Sequence, residues 1–558
     1  MKNHTKKLFS AIAIVLIVNF IGSYLFYRID LTQDKRYTLS QVSLGVIKKI
    51  KEPLYIDVYL TGEIPATFKR LQTETRQIVE EYQAYNDNII FRFVEQSSDK
   101  ETAFIASKNL FKKGLTPINI TVSEKGKQTQ EMIFPWATAN YKGKEVNIAL
   151  LKNLMGASTE DKIIGSVQNL EYAFTEAFNK LTIEKRQKVA IIKGNGQLAD
   201  IQIAKFLLQV KENYHIGPFT LDSVEKNPLG TLKALQKYDL AVIAKPTEAF
   251  SEKEKQVLDQ FIVNGGKTIW LIDQVNIELE SLLNPEGSAL AFGRDLQLND
   301  MFFKYGIRTV PALIKDEQGT PIKLASGEQG SGAQFQEFNW KFAPFIVPLS
   351  AHPITKNLGG IKFDFANPIE ILKNDIKKTV LLQSSPYSKS VGVPSIISLD
   401  VVNEVENLKQ YQNSGNLPVA VLLEGKFHSV FENRVLGFKD SNFMATSKES
   451  KMIVVSDGDI IKNSISKEGI PVELGYDSKT GNLFDNKDFL INSVNFLLDE
   501  SGLINIRAKD VSLPLLDKEK VSASYGKIQL IAVATPLILL LIFAFIFNLY
   551  RRKKYGAK

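Results

Sequence analysis

The chain of 558 residues contains no cysteine. Disulfides, thiolate nucleophiles, Cys-ligated zinc and iron–sulfur clusters are excluded with it. An oxidising compartment remains open, because domains large enough to bury their own cores do without disulfides. Its four histidines, His4, His215, His352 and His428, stand far apart. None has the HxH or HxxxH spacing that brings two imidazoles to one ion, so no metal is expected. A P-loop is also missing. Gly266-Lys267-Thr268 has the right ending, but Phe261 stands where the first glycine belongs. The local order helix–turn–strand also reverses what phosphate binding at a helix N-terminus requires. No other stretch supplies an ATPase motif, and no cofactor is expected.

Net charge is lacking over most of the length. The formal charge is +8, and it resides in two short tails. Lys2, Lys6 and Lys7 lie in residues 1–7; Arg551, Arg552, Lys553, Lys554 and Lys558 lie in residues 551–558. Neither tail holds an acid, so residues 8–550 are neutral in sum. The pI of about 9.0 is therefore a topology signal rather than a nucleic-acid footprint, and no nucleic-acid partner is expected. Inside each tail sits an uncharged apolar run, Leu8–Tyr27 and Ile528–Tyr550. Runs of about 20 residues span a hydrocarbon core of about 30 Å, and flanking basic residues stay cytoplasmic. The expectation is two transmembrane helices, at 8–27 and 528–550, with tails 1–7 and 551–558 in the cytoplasm and the body outside it. Bulky Tyr24, Leu25, Phe26 and Tyr27 fill the place where a cleaved signal peptide needs small residues, so the first run reads as an anchor. The basic tails can touch membrane lipid headgroups. Asn19 and Thr535-Pro536 are features that face other helices rather than lipid.

Between the anchors, residues 28–185 form the first expected domain. Leu54–Leu60 alternates like a strand, and Pro65–Tyr85 carries Phe68, Leu71, Ile78, Val79, Tyr82 and Tyr85 on one helical stripe, with Pro65 suited to the first turn. Ile89–Val94 reads as a strand, Glu101–Lys113 as a helix, Pro117–Val122 and Glu131–Tyr141 as a hairpin pair, and Thr159–Leu181 as a helix. This order resembles a thioredoxin-like fold, with Thr116-Pro117 where that fold keeps a cis-proline. The redox site would fall at Thr61–Pro65, where no thiol stands.

Residues 186–507 read as a larger doubly wound α/β domain with a parallel sheet. Its strands are expected at Val189–Lys193, Phe219–Leu221, Leu240–Ala244, Lys267–Ile272 and Lys451–Ser456. Helices are expected at Ala199–Val210, after the capping box Ser251-x-x-Glu254, and at Asp488–Leu498. The glycine-punctuated block 299–440 reads as a β-rich insertion, and 508–527 as a stalk. The fold class is thus α/β, with a thioredoxin-like N-terminal domain lacking cysteine.

Chemistry-bearing residues collect at the ends of these strands. Gly194-x-Gly196-x-x-Ala199 follows one strand and opens a helix, and Asp222 ends the next, the outline of a dinucleotide site. The alternative is a tight turn whose glycines permit close packing, and translocation argues against a soluble nicotinamide. Asp273 follows KTIWLI, and Asp457-Gly458-Asp459 follows KMIVVS. The C-terminal edge of an open α/β sheet is where ligands bind. The ligand-binding candidates are therefore Gly194, Asn195, Gly196, Gln197, Asp273, Asp457 and Asp459. Such carboxylates can serve as acid and base, which admits a hydrolytic reading through Asp457 and Asp459. Aspartates cap helices and form turns just as readily, and no metal-binding spacing accompanies these. No catalytic residue is assigned.

Several stretches carry a resemblance. LTQDKRYTLSQ (Leu31–Gln41), VAIIKGNGQ (Val189–Gln197), YDLAVIAKP (Tyr238–Pro246), FIVNGGKTIWLID (Phe261–Asp273), VVSDGDIIKN (Val454–Asn463) and NKDFLINSVNFLLD (Asn486–Asp499) are similar to the GldG family. These are gliding-motility-associated auxiliary or substrate-binding-type membrane proteins of ABC transporters. The resemblance covers nearly the whole chain, anchors included. It implies an inner-membrane location, a periplasmic body, separate ABC permease and ATPase subunits, and envelope gliding machinery as partners. Where the wider family reads Gly-His-Gly-Glu, this chain reads Gly194-Asn195-Gly196-Gln197, lacking both base and acid. The α/β region also resembles a domain of intraflagellar-transport proteins, where it serves interaction, and distantly the class I glutamine amidotransferases, whose cysteine chemistry is excluded here. The expected role is a non-enzymatic interaction module. The alternatives are binding of a glycan, peptide or lipid, and hydrolysis.

Overall fold

A computed structural model describes residues 12–20, 30, 38–62, 64–95, 99–124, 127–326, 334–405, 408–509 and 518–556. The chain falls into two units, Met1–Asp510 and Val511–Lys558.

In the first part of the larger unit, four strands form a sheet in the order Ile89–Phe93, Leu54–Val58, Trp136–Tyr141, Lys144–Ala149. The first two pair in parallel and the others antiparallel. Leu54, Ile56 and Val58 alternate inward, as a strand with one buried face requires. The helix Ala66–Tyr85 buries Phe68, Leu71, Ile78, Val79 and Tyr82. Pro65 is its N-cap rather than a residue of its first turn. The helix Thr159–Thr182 is capped by Ser158, which accepts from the Asp161 amide. Its Phe178 meets Tyr82 edge to face with ring centroids 5.1 Å apart.

The expected strand 131–141 is two strands. Lys127–Ile133 pairs with Ile118–Glu124 as a separate ribbon, and Trp136–Tyr141 enters the four-stranded sheet. Pro135 stands between them and has no amide proton to continue a ladder, so the chain changes sheets there. Among the described residues the cis peptide is Val393–Pro394; the Thr116–Pro117 bond is trans.

A seven-stranded sheet dominates the rest, in the order Lys377–Gln383, Pro418–His428, Thr446–Val455, Lys267–Leu271, Leu240–Ala244, Lys188–Lys193, His215–Thr220. Five adjacent strands pair in parallel, and two more, Pro418–His428 and then Lys377–Gln383, extend one edge by antiparallel pairing. The expectation of a parallel sheet is corrected to a mixed one. The two added strands come from the block read as an insertion, so that block does not stand apart from the main sheet. One face of the sheet packs Ala190, Ile192, Ile243, Trp270 and Val454 against Leu232, Val257, Phe261 and Phe302. These last residues come from the helices Pro228–Leu235, Glu252–Val263 and Asn299–Tyr305. The helices Ala204–Asn213 and Asn486–Leu498 pack on each other and on the strands His215–Thr220 and Thr446–Val455.

The remaining β-structure forms short ribbons. Gly319–Ser326, Gln334–Ile346 and Ile361–Lys362 make one, and Val275–Asn276, Ser288–Gly293 and Ser395–Ser398 another. They enclose a second core around Trp340, Phe342, Phe365 and Leu313.

The smaller unit holds the helix Lys518–Tyr555, interrupted at Ser524 and containing Pro536. Its segment Lys520–Tyr555, in which an 18-residue stretch reaches a mean hydropathy of 2.9, is long and apolar enough to cross a membrane. It starts well before Ile528, inside the segment expected as a stalk. Of the expected first span, residues 12–20 are helical and the others lie outside the described residues.

Candidate functional site

Three carboxylates converge at the C-terminal edge of the seven-stranded sheet: Asp273, Glu278 and Asp459, each offering an oxygen within 4.8 Å of the others. Lys245 sits among them. Its Nζ lies 2.5 Å from Asp459 Oδ2, 2.6 Å from Glu278 Oε1 and 3.4 Å from Asp273 Oδ2. The lysine side chain is only 4% exposed. Burial works against its charge, but the Asp459, Asp273 and Glu278 carboxylates outweigh burial and hold it well above the ordinary lysine range. Lys245 follows the strand Leu240–Ala244 with a left-handed φ of +52°, a conformation that costs a non-glycine residue about 1 kcal/mol or more. A turn of that hand at the strand end places the ammonium group against the acids that follow the adjacent strand Lys267–Leu271 and the next one over, Thr446–Val455.

Asp457 is wholly buried and spends its oxygens on backbone. Its Oδ2 accepts from the Asp364 amide at 2.7 Å and its Oδ1 from the Asp459 amide at 2.7 Å. It therefore forms the turn that launches the short helix Asp459–Ile461. Burial, with Asp273, Asp459 and Asp364 nearby, pushes its carboxyl far above the usual range. Asp273 accepts from the Gly458 amide at 2.5 Å. Burial first, and then Asp459, push it up to about 6 against the pull of Lys245.

The turn Gly194–Gln197 is stitched to a neighbouring loop. The Asn195 carbonyl accepts from the Thr247 and Glu248 amides at 3.0 and 3.1 Å, and Thr247 Oγ1 donates to the Gly196 carbonyl at 3.0 Å. Asn195 Nδ2 donates to Glu254 Oε2, and the Asn195 amide to Gln197 Oε1. Both glycines are needed: Gly194 has φ +117° and Gly196 φ +69°, and a Cβ on Gly196 would lie 2.0 Å from Thr247 Oγ1.

Beside Asp459 opens a cavity of about 410 Å³, between the sheet edge and the β-rich ribbons. Asp459 and Glu278 line it with Lys462, Lys362, Asp364 and Asp477. Of the seven sequence candidates, Asp459 alone reaches its wall. Asp273, Asp457 and Gly194–Gln197 do not line it.

Residues 186–493 match the model of a family described as ABC-type uncharacterized transport system, an auxiliary component, and that match spans more than half of the chain. The chain belongs to this family. Residues 33–140 match a domain of unknown function. An uncharacterized protein of Borreliella burgdorferi is 20% identical over 563 aligned positions, covering 97% of both chains. Among solved structures, the mmIFT52 N-terminal domain is similar at 12% identity and TM-score 0.32, covering 59% of this chain and 100% of that one. A ThuA-like protein from Parabacteroides merdae is similar at 9% identity and TM-score 0.27, covering 60% and 94%.

Within this ABC-transport auxiliary chain, sequence reasoning missed Lys245, Glu278, Lys362, Asp364, Lys462 and Asp477. Lys245 carried a usable signal: a lysine directly after a wholly apolar strand, LAVIA, in a sheet where two other strands run into aspartates, Asp273 and Asp457. Lys362 and Asp364 carried none, since they reach the edge from a segment about 90 residues earlier than Asp457.

Proposed function

We propose that the chain is a membrane-anchored, extracytoplasmic auxiliary component of an ABC transporter of the GldG, gliding-associated type. It acts by protein–protein contact with separate permease and ATPase subunits in the inner membrane. Membership of the transport family supports the accessory role. The observation that carries the non-catalytic part is the capture of Lys245 by Asp273, Glu278 and Asp459. Charges that could act on a substrate are spent on one another. The hydrolytic reading gains nothing, because both oxygens of Asp457 accept backbone amides. The strand order of residues 54–149 supports a thiol-free thioredoxin-like N-terminal domain.

One contact supports anchoring at both ends. Glu171, buried in the helix Thr159–Thr182, accepts from the Ser40 amide and Ser43 Oγ at 2.7 Å each, and pairs with Lys509 Nζ at 2.9 Å. Lys509 Nζ also donates to the Thr38 carbonyl at 2.8 Å. The two ends of the folded body are thereby fastened together, as two anchors in one membrane require. Detergent extraction of the tagged chain is expected to recover a permease and an ATPase; recovery of this chain alone refutes the reading. Cysteine placed at Gly556 should resist a membrane-impermeant maleimide in spheroplasts, while one at Val435, 93% exposed, should label.

A second reading, ligand binding outside the membrane, is favoured by the cavity beside Asp459.

A further inference from the structure

We propose that the strand Ile89–Phe93 is a docking edge, onto which an extended segment of a partner protein adds as a further strand with an acidic residue beside Phe93, a deepening of the protein-contact reading on which it rests. Ile89–Phe93 ends the four-stranded sheet and pairs on one side only, with Leu54–Val58. Parallel pairing commits the backbone of alternate residues to the neighbour. The Leu54 amide donates to the Asn88 carbonyl at 2.8 Å and the Val94 amide to the Val58 carbonyl at 2.9 Å, which fixes the phase. Ile90 and Arg92 therefore turn their backbone groups to Leu54–Val58, while those of Ile89, Phe91 and Phe93 point away from the sheet. Ile89 is served locally: its amide donates to the Asn86 carbonyl and its carbonyl accepts from Gln83 Nε2, both at 3.0 Å. The N–H and C=O groups of Phe91 and Phe93 have no protein partner among the described residues.

Sheet edges are ordinarily guarded, and the other edges of the two large sheets are. His215–Thr220 contains Pro218, Lys377–Gln383 opens on two lysines and carries register shifts, and Lys144–Ala149 opens on Lys144 and Glu145. In Ile89–Phe93 the one charge is turned to the sheet: Arg92 Nε lies 2.5 Å from Asp57 Oδ1 on the neighbouring strand. Tyr55 and Ile90, register partners on the same face, are 54% and 41% exposed. Unmet backbone groups beside exposed apolar side chains are what main-chain addition of an extended segment requires.

The side chains choose the occupant. Ile90 and Phe93 lie on opposite faces of the strand. A residue added beside Ile90 meets Tyr55 and gains by being apolar. One added beside Phe93 meets Arg76, whose guanidinium lies 4.0 Å from the Phe93 ring centroid and has no acid partner among the described residues. A carboxylate there supplies the missing charge. A second copy does not: pairing this edge with itself sets Ile89 or Phe91 opposite Phe93, and neither is acidic.

The full chain in lipid nanodiscs is titrated with short fluorescent peptides that alternate valine and threonine and carry one glutamate toward either end, and with counterparts carrying lysine instead. Anisotropy is expected to show saturable binding of a glutamate peptide. Arg76→Glu is expected to weaken it by about fivefold and to favour the lysine peptide, the reversal of one exposed ion pair. Phe91→Pro is expected to weaken it by about tenfold, because the amide it deletes points outward and the ladder to Leu54–Val58 is spared. Arg76 is exposed and makes no ion pair, so its variant keeps the test valid if Phe91→Pro fails to fold. No binding by any peptide, or equal binding of glutamate and lysine peptides, overturns the proposal. Binding that neither substitution weakens does the same. Self-association of the chain that Phe91→Pro abolishes gives the edge to a second copy and overturns the acidic occupant. Detergent extraction of the parent chain separates the two readings: it still recovers a permease and an ATPase if only the edge is wrong, and recovers neither if the contact reading is wrong.

Discussion

Replacing Lys245 with methionine is the sharpest perturbation of this architecture. Methionine keeps the length of the side chain and the left-handed backbone while deleting the ammonium. Asp273, Glu278 and Asp459 then face one another with no counter-charge between them. Breaking a buried pair from one side costs about 3–5 kcal/mol; Glu278, a third exposed, is partly relieved by water, which places the expectation near about 3 kcal/mol. The loss depends on pH. Asp273 already holds its proton up to about 6 with Lys245 present, and removing Lys245 raises that further. The variant should therefore be most destabilised where the acids are ionised, near pH 8, and recover much of the difference near pH 5, where protons replace the ammonium. Three oxygens this close are also a cation trap once the lysine is gone. Calcium or manganese at about millimolar concentration should raise the melting midpoint of Lys245→Met and leave the parent unchanged. Thermal unfolding of the full chain, followed by tryptophan emission, reads all three effects. A variant as stable as the parent near pH 8, or one weakened further by acid, refutes the idea that Lys245 neutralises the cluster.

Other outcomes follow from particular contacts. Asp273 and Asp485 are each pushed up to about 6, by burial first and then by Asp459 and Asp488 respectively. The folded state thus binds their protons more tightly than the unfolded chain does. Their contribution to stability is fully present below about pH 4 and is lost as pH rises through about 6, so the slope over that interval should flatten in Asp273→Asn; an unchanged slope counts against the assignment. Asp488, held down to about 2 by Lys152 and Lys487 despite its burial, acts below this interval. Glu171→Gln removes the charge that fastens Lys509 and should cost about 1.5 kcal/mol. Amide hydrogen exchange in Gln41–Ile47 should quicken by about tenfold, and unchanged protection refutes the clasp. Gly196→Ala combines a φ of +69° with a contact at 2.0 Å to Thr247 Oγ1 and should cost about 2 kcal/mol. Thr247→Ala in the same chain should restore the steric part only; full restoration would mean that the backbone conformation costs nothing.

Much of the architecture was legible where local pattern and burial agree. LAVIA is a strand at the residues expected, Leu240–Ala244, because every side chain in it is buried and nothing else suits a short, wholly apolar run. Ser251 and Glu254 form the capping box that their spacing announces. Gly265, with φ +98°, ends the following helix where Gly265-Gly266 marked a stop. The misreadings share a cause. The run from Glu131 to Tyr141 looks like one strand, and only the pairing partners reveal that Pro135 divides it between two sheets. The block 299–440 reads as a β-rich insertion in the α/β domain, and only the pairing shows that its strand Pro418–His428 lies beside Thr446–Val455 and widens the main sheet.

The sequence by itself determined the quantities that depend on composition and short range: the confinement of net charge to the tails, the absence of thiol chemistry, the apolar helix ending in Arg551–Lys554, and most strands and caps. These follow from residue type and periodicity within one turn or one pleat. Tertiary structure alone decided how the acids are used. Asp273, Glu278 and Asp459 are separated by up to 186 positions, and Lys245 joins them only because parallel strands end at one edge. Trp340, Thr480 and Asp459 line one cavity because the antiparallel ribbon of Gln334–Ile346 and the turn around Thr480 fold over that edge. Electrostatic neutralisation and cavity lining depend on separations of a few ångströms in space, and those distances exist only once the chain has closed contacts hundreds of residues long.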